Sequence, residues 1–192
     1  LFSRLDMAAF QHCFAAWVSS VHEAFGGVVA IDGKTLRRSF DTTSGKAAIH
    51  MISAWSCERQ LVLGQCKVDD KSNEITAIPK LLDLLALKGA IVTIDAMGCQ
   101  RSICQQVLDQ ESNYVIALKG NQGSLREDVE VFFGEHLERD IGGKFVKSAQ
   151  TIEADHGRIE TRCCTVCSDT QWLINRHNWP DLKAVVMTEY TR

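Results

Sequence analysis

Two stretches pair an apolar run with an aspartate and a nearby glycine: VVAIDGK, reaching Asp32-Gly33-Lys34, and AIVTIDAMG, reaching Asp95-Ala96-Met97-Gly98. Short runs of Val, Ile and Ala read as buried strands, so each aspartate is expected at a strand end followed by a short loop. Carboxylates at two strand ends of one sheet can converge on a hard, octahedral cation such as magnesium. Two such ions, roughly 3.5 to 4 Å apart, serve phosphodiester cleavage, one activating the attacking oxygen and the other stabilising the leaving oxygen. The same residue types also make plain turns and helix caps, with the glycines supplying the bend. The matching context of Asp32 and Asp95 is what favours a shared chemical role.

Other chemistries find little support. Lys34-Thr35 after Gly33 invites a phosphate-loop reading, but that pattern needs four residues between its glycines, and the Gly26-Gly27 turn precedes the strand instead of following it. The sequence lacks a GxSxG elbow and a paired Cys/His nucleophile context, which removes acyl transfer. The eight cysteines are scattered, and only Cys164 and Cys167 have ligand-like spacing. A structural zinc needs a second such pair, so strand thiols are the better reading and reduced cysteines in the cytosol the expectation. A net charge of −3 gives no global attraction to nucleic acid. Charge is nevertheless concentrated locally, in Lys34, Arg37, Arg38 and Lys46 after the first aspartate and in Lys119 after a later strand.

The elements that must position these residues follow from the hydrophobic pattern. The opening LFSRLDMAAFQHCFAAWVSSVHEAF has the spacing of an amphipathic helix, and no stretch of 18 apolar residues occurs, so a secreted or membrane-spanning chain is not expected. After the strand carrying Asp32, the runs 47–56 and 60–68 suggest an antiparallel meander. Ile75, Ile78, Leu81, Leu82 and Leu85 predict a helix over 74–89, with Ser72 or Asn73 as N-cap and Gly89 as its stop. The strand carrying Asp95, a helix over 101–112 and a strand over 113–122 ending in Lys119 then predict a parallel β-α-β unit. A helix over 124–137 follows, with Leu125, Val129, Phe132 and Phe133 facing inward. Beyond it, 144–152, 158–166 and 183–191 are β-like, with His156-Gly157 as a turn between the first two.

Three meander strands, a helix and a parallel β-α-β unit form the order of a ribonuclease-H-like mixed α/β sheet flanked by helices, here with a small C-terminal β extension. The expected organisation is a partial N-terminal helical segment over 1–25, a ribonuclease-H-like core over 26–138 and a β-rich extension over 139–192.

Several long blocks resemble the insertion-sequence DDE transposases that include the H-repeat-associated proteins: AIDGKTLR, LVLGQCKVDDKSNEITAIPKLLDLL, GAIVTIDAMGCQ, YVIALKGNQ and DHGRIETR. The resemblance runs from about Trp17 to Arg192. It implies a DNA transposase that cleaves strands at element ends and transfers them to target DNA, with two magnesium ions as cofactor. It makes Asp32 and Asp95 the first two metal-binding acids and a glutamate the third. Glu160 in HGRIE is the candidate within this chain, although the resemblance places the third acid on a helix and the surrounding residues read as strand. Arg158 and Arg162 would then contact phosphate, as would Lys34, Arg37 and Lys119. The resemblance further implies terminal inverted repeats and target DNA as partners, action as a multimer, and family segments beyond both ends of this chain.

The remaining marked residues have plainer readings. Glu127, Asp128 and Glu130 lie on the helix after the fifth strand, a usual place for an acid in a ribonuclease-H sheet, but a solvated helix face is favoured. His156 reads as a turn residue, and Trp172 and Trp179 as core packing before base stacking. Two rivals stand beside the transposase reading. One is a catalytically inactive remnant that binds DNA or multimerises; the other is a ribonuclease-H-fold nuclease without strand transfer.

Overall fold

A computed structural model describes residues 4–21, 27–40, 47–69, 73–136, 145–155 and 158–191. Lys46, His156 and the alternative cap Ser72 lie outside the described residues. The chain divides into two compact units, Leu1–Asn121 and Gln122–Arg192.

The first unit opens with α1 (Met7–Val21) and continues through β1 (Val28–Thr35), β2 (His50–Ser56), β3 (Leu61–Lys67), α2 (Glu74–Leu82), β4 (Ile91–Ile94), α3 (Arg101–Asp109) and β5 (Asn113–Ile116). The strands form one sheet in the order β3-β2-β1-β4-β5, antiparallel from β3 to β1 and parallel from β1 to β5. This is the ribonuclease-H-like arrangement that the element order predicts. Its logic is local: β2 and β3 are joined by a tight turn in which Gln60 takes the left-handed conformation (φ 52°), whereas the parallel partners need helical crossovers.

One face of the sheet carries the core. Val29 and Ile31 of β1, Ile52 and Ala54 of β2, Leu63 of β3, and Val92 and Ile94 of β4 are buried with Ile78, Leu81 and Leu82 of α2 and Ile103 and Val107 of α3. Fully burying side chains of this kind contributes roughly 1.5 to 3 kcal/mol each, which fixes which face of every strand points inward. A one-residue slip of β1 would put Asp32 into this core.

Three element boundaries differ from the sequence expectations. Asp32-Gly33-Lys34 is not a loop: β1 runs on to Thr35 because β2 pairs with it throughout, Gly33 opposite Ile52 and Thr35 opposite His50. The helix capped by Asn73, whose side chain accepts from the Thr76 N–H, ends at Leu82 and not at Gly89. Its last carbonyls accept from local N–H groups, Asp83 to Pro79 at 3.0 Å and Leu85 to Leu82 at 3.1 Å, and also from the side chains of Gln106 in α3, at 3.0 Å to Pro79, and of Gln110 just past it, at 3.0 Å to Leu82. The side chains that a distant segment adds to a helix end cannot be read from local sequence. Finally, β5 stops at Ile116, so Lys119 lies three residues beyond the strand, just before the single helical turn Gly120–Gln122.

The second unit comprises α4 (Gly123–His136), β6 (Val146–Asp155), β7 (Arg158–Cys167), α5 (Gln171–His177) and β8 (Val185–Thr191), with the strands in an antiparallel sheet ordered β6-β7-β8. The three strands match the predicted extension; the short helix α5 between them was not anticipated. Leu125, Val129, Phe132 and Phe133 of α4 are buried as expected. Phe132 lies 5.4 Å from the Trp172 ring of α5, and Trp179 is buried, so both tryptophans pack against protein. Asp128 is not on a solvated face: it accepts from His177 at 2.6 Å and pairs with Arg176 at 2.8 Å, tying α4 to α5. Glu130 pairs with Arg126 one turn away at 2.6 Å. Cys164 and Cys167 are an odd number of residues apart on β7, so strand alternation sends them to opposite faces and removes the zinc reading.

Candidate functional site

β1 and β4 are parallel neighbours in which Ile31 stands opposite Ile94. The next residue on each is the aspartate, so Asp32 and Asp95 share one level of the sheet, on strands about 4.8 Å apart. Alternation turns Asp32 away from the core that holds Val29 and Ile31. Asp95, just past β4, keeps an extended backbone (φ −70°, ψ −179°), which carries the alternation one residue further and away from the buried Ile94. Both aspartates are exposed.

The two are held differently. Asp95 caps the single 3-10 turn Ala96–Gly98, its Oδ1 accepting from the Met97 N–H at 3.0 Å. The Asn121 side-chain amide donates to the Ala96 carbonyl and pins the same turn from the segment after β5. Gly98 is required by space: a Cβ there would stand 2.3 Å from Ile94 Cγ2. Asp32, by contrast, has neither a hydrogen bond nor an ion pair among the described residues. Its place is set by the ladder on both sides, β2 pairing Ser53 opposite it and β4 running alongside.

Two carboxylates on neighbouring strands suit a hard divalent cation, because they offer oxygen ligands only. Among the described residues no group of three or more His, Cys, Asp and Glu side chains gathers into a metal site. The β1–β4 register sets the first and second predicted acids at one level of neighbouring strands.

The other predicted residues fall as follows. Lys34 is exposed two residues beyond Asp32 on the same strand, hence on the same face, and Arg37 is exposed in the turn after β1. Lys119 is exposed beyond β5. Arg158 begins β7 opposite Asp155, and Glu160 lies opposite Glu153 with Arg162 at 3.4 Å. Glu160 thus belongs to a strand of the second unit and is half-buried, 24% of its side chain remaining exposed.

A sequence model of the transposase DDE domain matches residues 23–174. The chain belongs to the DDE transposase family. It is 44% identical to an uncharacterized protein from the dhlA 3' region of Xanthobacter autotrophicus, over all of this chain and 64% of that protein. It is 47% identical to YncI of Escherichia coli, whose name describes it as a transposase, over 90% of this chain and 68% of YncI. The H repeat-associated protein YhhI of Escherichia coli is 43% identical over 94% of this chain and 48% of its own length. The chain thus spans roughly half to two thirds of these relatives. Membership brings with it a general dependence on divalent metal, in keeping with the two carboxylates at the sheet's centre.

Sequence reasoning overlooked a second group beside β1. Glu74 at the start of α2 accepts from His50 Nε2 at 2.6 Å, and His50 Nδ1 lies 2.9 Å from the Thr35 hydroxyl. Once β1 is seen to run through Gly33, a glycine inside a strand marks close approach by another group.

Proposed function

We propose that the chain is the catalytic part of an insertion-sequence transposase, which cleaves DNA at the element's ends and joins the released 3′ hydroxyl to target DNA. The observation that carries this reading is the pairing of Asp32 with Asp95 on adjacent parallel strands in a chain of this family. Asp32 would contact two magnesium ions and Asp95 one of them, with Glu160 as the third acid that this chain offers. When bound, such ions activate the attacking oxygen and stabilise the leaving oxygen of an in-line displacement.

The protein's own part is to hold its acids at fixed separation and to neutralise the DNA backbone. Lys34 and Arg37 flank Asp32 and are assigned to phosphate, together with Lys119 and Arg158. Assembly of more than one copy on paired DNA ends, in the cytoplasm, completes the proposal. No helix among the described residues is long and apolar enough to cross a membrane.

The test compares substrates with the full-length protein in magnesium: DNA bearing the element's own terminal inverted repeats, generic duplex, and RNA–DNA hybrid. Cleavage confined to the terminal repeats, and lost in Asp32→Asn, is the expected result. Equal cutting of generic or hybrid substrates would assign the fold to a nuclease without strand transfer, and cleavage that survives Asp32→Asn would remove the site.

A further inference from the structure

The Glu74–His50–Thr35 group lies on the α2 side of the sheet, behind the strand that carries Asp32 on its other side. Its chemistry is that of a hydrogen-bonded relay. The Glu74 carboxylate accepts at 2.6 Å, so His50 Nε2 donates, leaving Nδ1 to the Thr35 hydroxyl at 2.9 Å. Thr35 and His50 are also opposite one another in the β1–β2 ladder, so one imidazole links the end of β1, the start of β2 and the first turn of α2. Side-chain exposures of 28% for His50 and 19% for Glu74 make this a sheltered, charge-assisted pair.

The decisive contact is with Gly33, the residue after Asp32. A Cβ on Gly33 would stand 2.2 Å from Glu74 Oε1, 2.7 Å from its Cδ and 3.0 Å from His50 Nε2. The Glu74 carboxylate thus occupies the space that a side chain on Gly33 would take. Asp32 has no hydrogen-bond partner among the described residues, and the ladder of β1 sets where its backbone lies. What packs on Gly33 bears on the backbone next to Asp32.

We propose that Glu74, oriented by His50, is a positioning residue: by packing on Gly33 and tethering Thr35 it holds the end of β1 so that Asp32 presents its carboxylate beside Asp95. This inference rests on the divalent-cation reading of those two aspartates. It assigns Glu74 a role through shape and hydrogen bonding, with its charge not engaged by the cation. Groups that orient a metal ligand in this way typically change metal affinity about 10- to 100-fold when removed.

The test measures Mn2+ binding to the full-length protein by calorimetry, in the absence of DNA. Glu74→Ala and Gly33→Ala are each expected to weaken binding about tenfold or more, while Glu74→Gln, which keeps the shape and still accepts from His50, stays within about twofold of the parent. Because the two atoms nearest the new Cβ belong to Glu74, with His50 Nε2 next at 3.0 Å, Gly33→Ala combined with Glu74→Ala should bind no worse than Glu74→Ala alone. Asp32→Asn is the control for the underlying reading. If Asp32→Asn leaves Mn2+ binding intact, the metal site itself is wrong and the role of Glu74 falls with it. If Asp32 matters but Glu74→Ala binds like the parent, only the positioning role is overturned; Glu74→Gln binding as poorly as Glu74→Ala overturns it as well, since charge is then what counts. Should Gly33→Ala fail to fold, the contrast between Glu74→Ala and Glu74→Gln decides alone.

Discussion

Ile31 of β1 and Ile94 of β4 face each other across a parallel pair, both buried, and each is followed at once by an aspartate. The hydrophobic register that seats the two isoleucines is thus the same register that aligns the two carboxylates. Packing and chemistry are set by one pairing.

Asp95 has two tasks that substitution separates. Asn retains an oxygen for the Met97 N–H, so Asp95→Asn should keep the parent's melting temperature, whereas Asp95→Ala should lose about 1 kcal/mol with the cap. Both should lower strand cleavage about a thousandfold or more, the equivalent of several kcal/mol of metal-assisted stabilisation. Denaturant melts alongside a cleavage assay check this, and equal stability of the two variants would show that the cap is idle.

Gly98→Ala places a Cβ 2.3 Å from Ile94 Cγ2, at the edge of the core that seats β4. Overpacking of this kind costs typically about 1 to 3 kcal/mol. Urea unfolding of the variant should show a lower midpoint with an unchanged slope; an unaltered midpoint would mean that the turn after Asp95 moves aside freely.

Asp128 joins α4 to α5 through His177 and Arg176. Asp128→Ala leaves two donors without their acceptor, and hydrogen bonds to charged groups contribute about 1.5 to 3 kcal/mol. The loss should appear as faster amide exchange in α5 with little change in β1 or β4. Uniform acceleration across the chain would contradict a local tie.

Trp172 carries a buried indole N–H with no partner among the described residues, while its ring packs on Phe132. Trp172→Phe keeps an aromatic ring and removes the orphaned donor, whose burial costs about 1 to 3 kcal/mol. The variant is expected to be as stable as the parent or up to about 1 kcal/mol more so. A clear loss of stability would reveal an unrecognised acceptor.

Burial pushes the Cys99 thiol up to about 11, while Cys13 and Cys57 are exposed. A raised value favours the neutral thiol, so Cys99 stays protonated at pH 8 and its reactivity grows only as pH approaches 11. Mass-spectrometric mapping after maleimide labelling at pH 8 should find Cys13 and Cys57 modified first. Early modification of Cys99 would show that the turn after Asp95 opens readily.

Much of this was legible beforehand because it rests on periodicity. The apolar runs around Ile31 and Ile94 announced strands, and the intervening helix announced a parallel unit, which together placed Asp32 near Asp95. What stayed hidden depends on contacts between distant segments. Gly33 read as a turn glycine because nothing local reveals that Glu74 will lie on it, and β1 was cut short for the same reason. The helix reads as running past Leu82 because Leu85 keeps the apolar spacing, whereas the backbone beyond Leu82 closes in shorter turns that Gln106 and Gln110 supplement. Asp128 reads as a solvated acid because its partners, His177 and Arg176, lie almost fifty positions away on a seven-residue helix.

The central strand β1 joins an antiparallel half that precedes α2 to a parallel half that follows it. Asp32 and Asp95 are more than sixty positions apart, so the proposed cation site has no local precursor. A nascent chain still lacking β4 is unable to close it, however well its first hairpin has formed. On the proposed reading, a site shared by the two aspartates would form only once β4 has paired with β1.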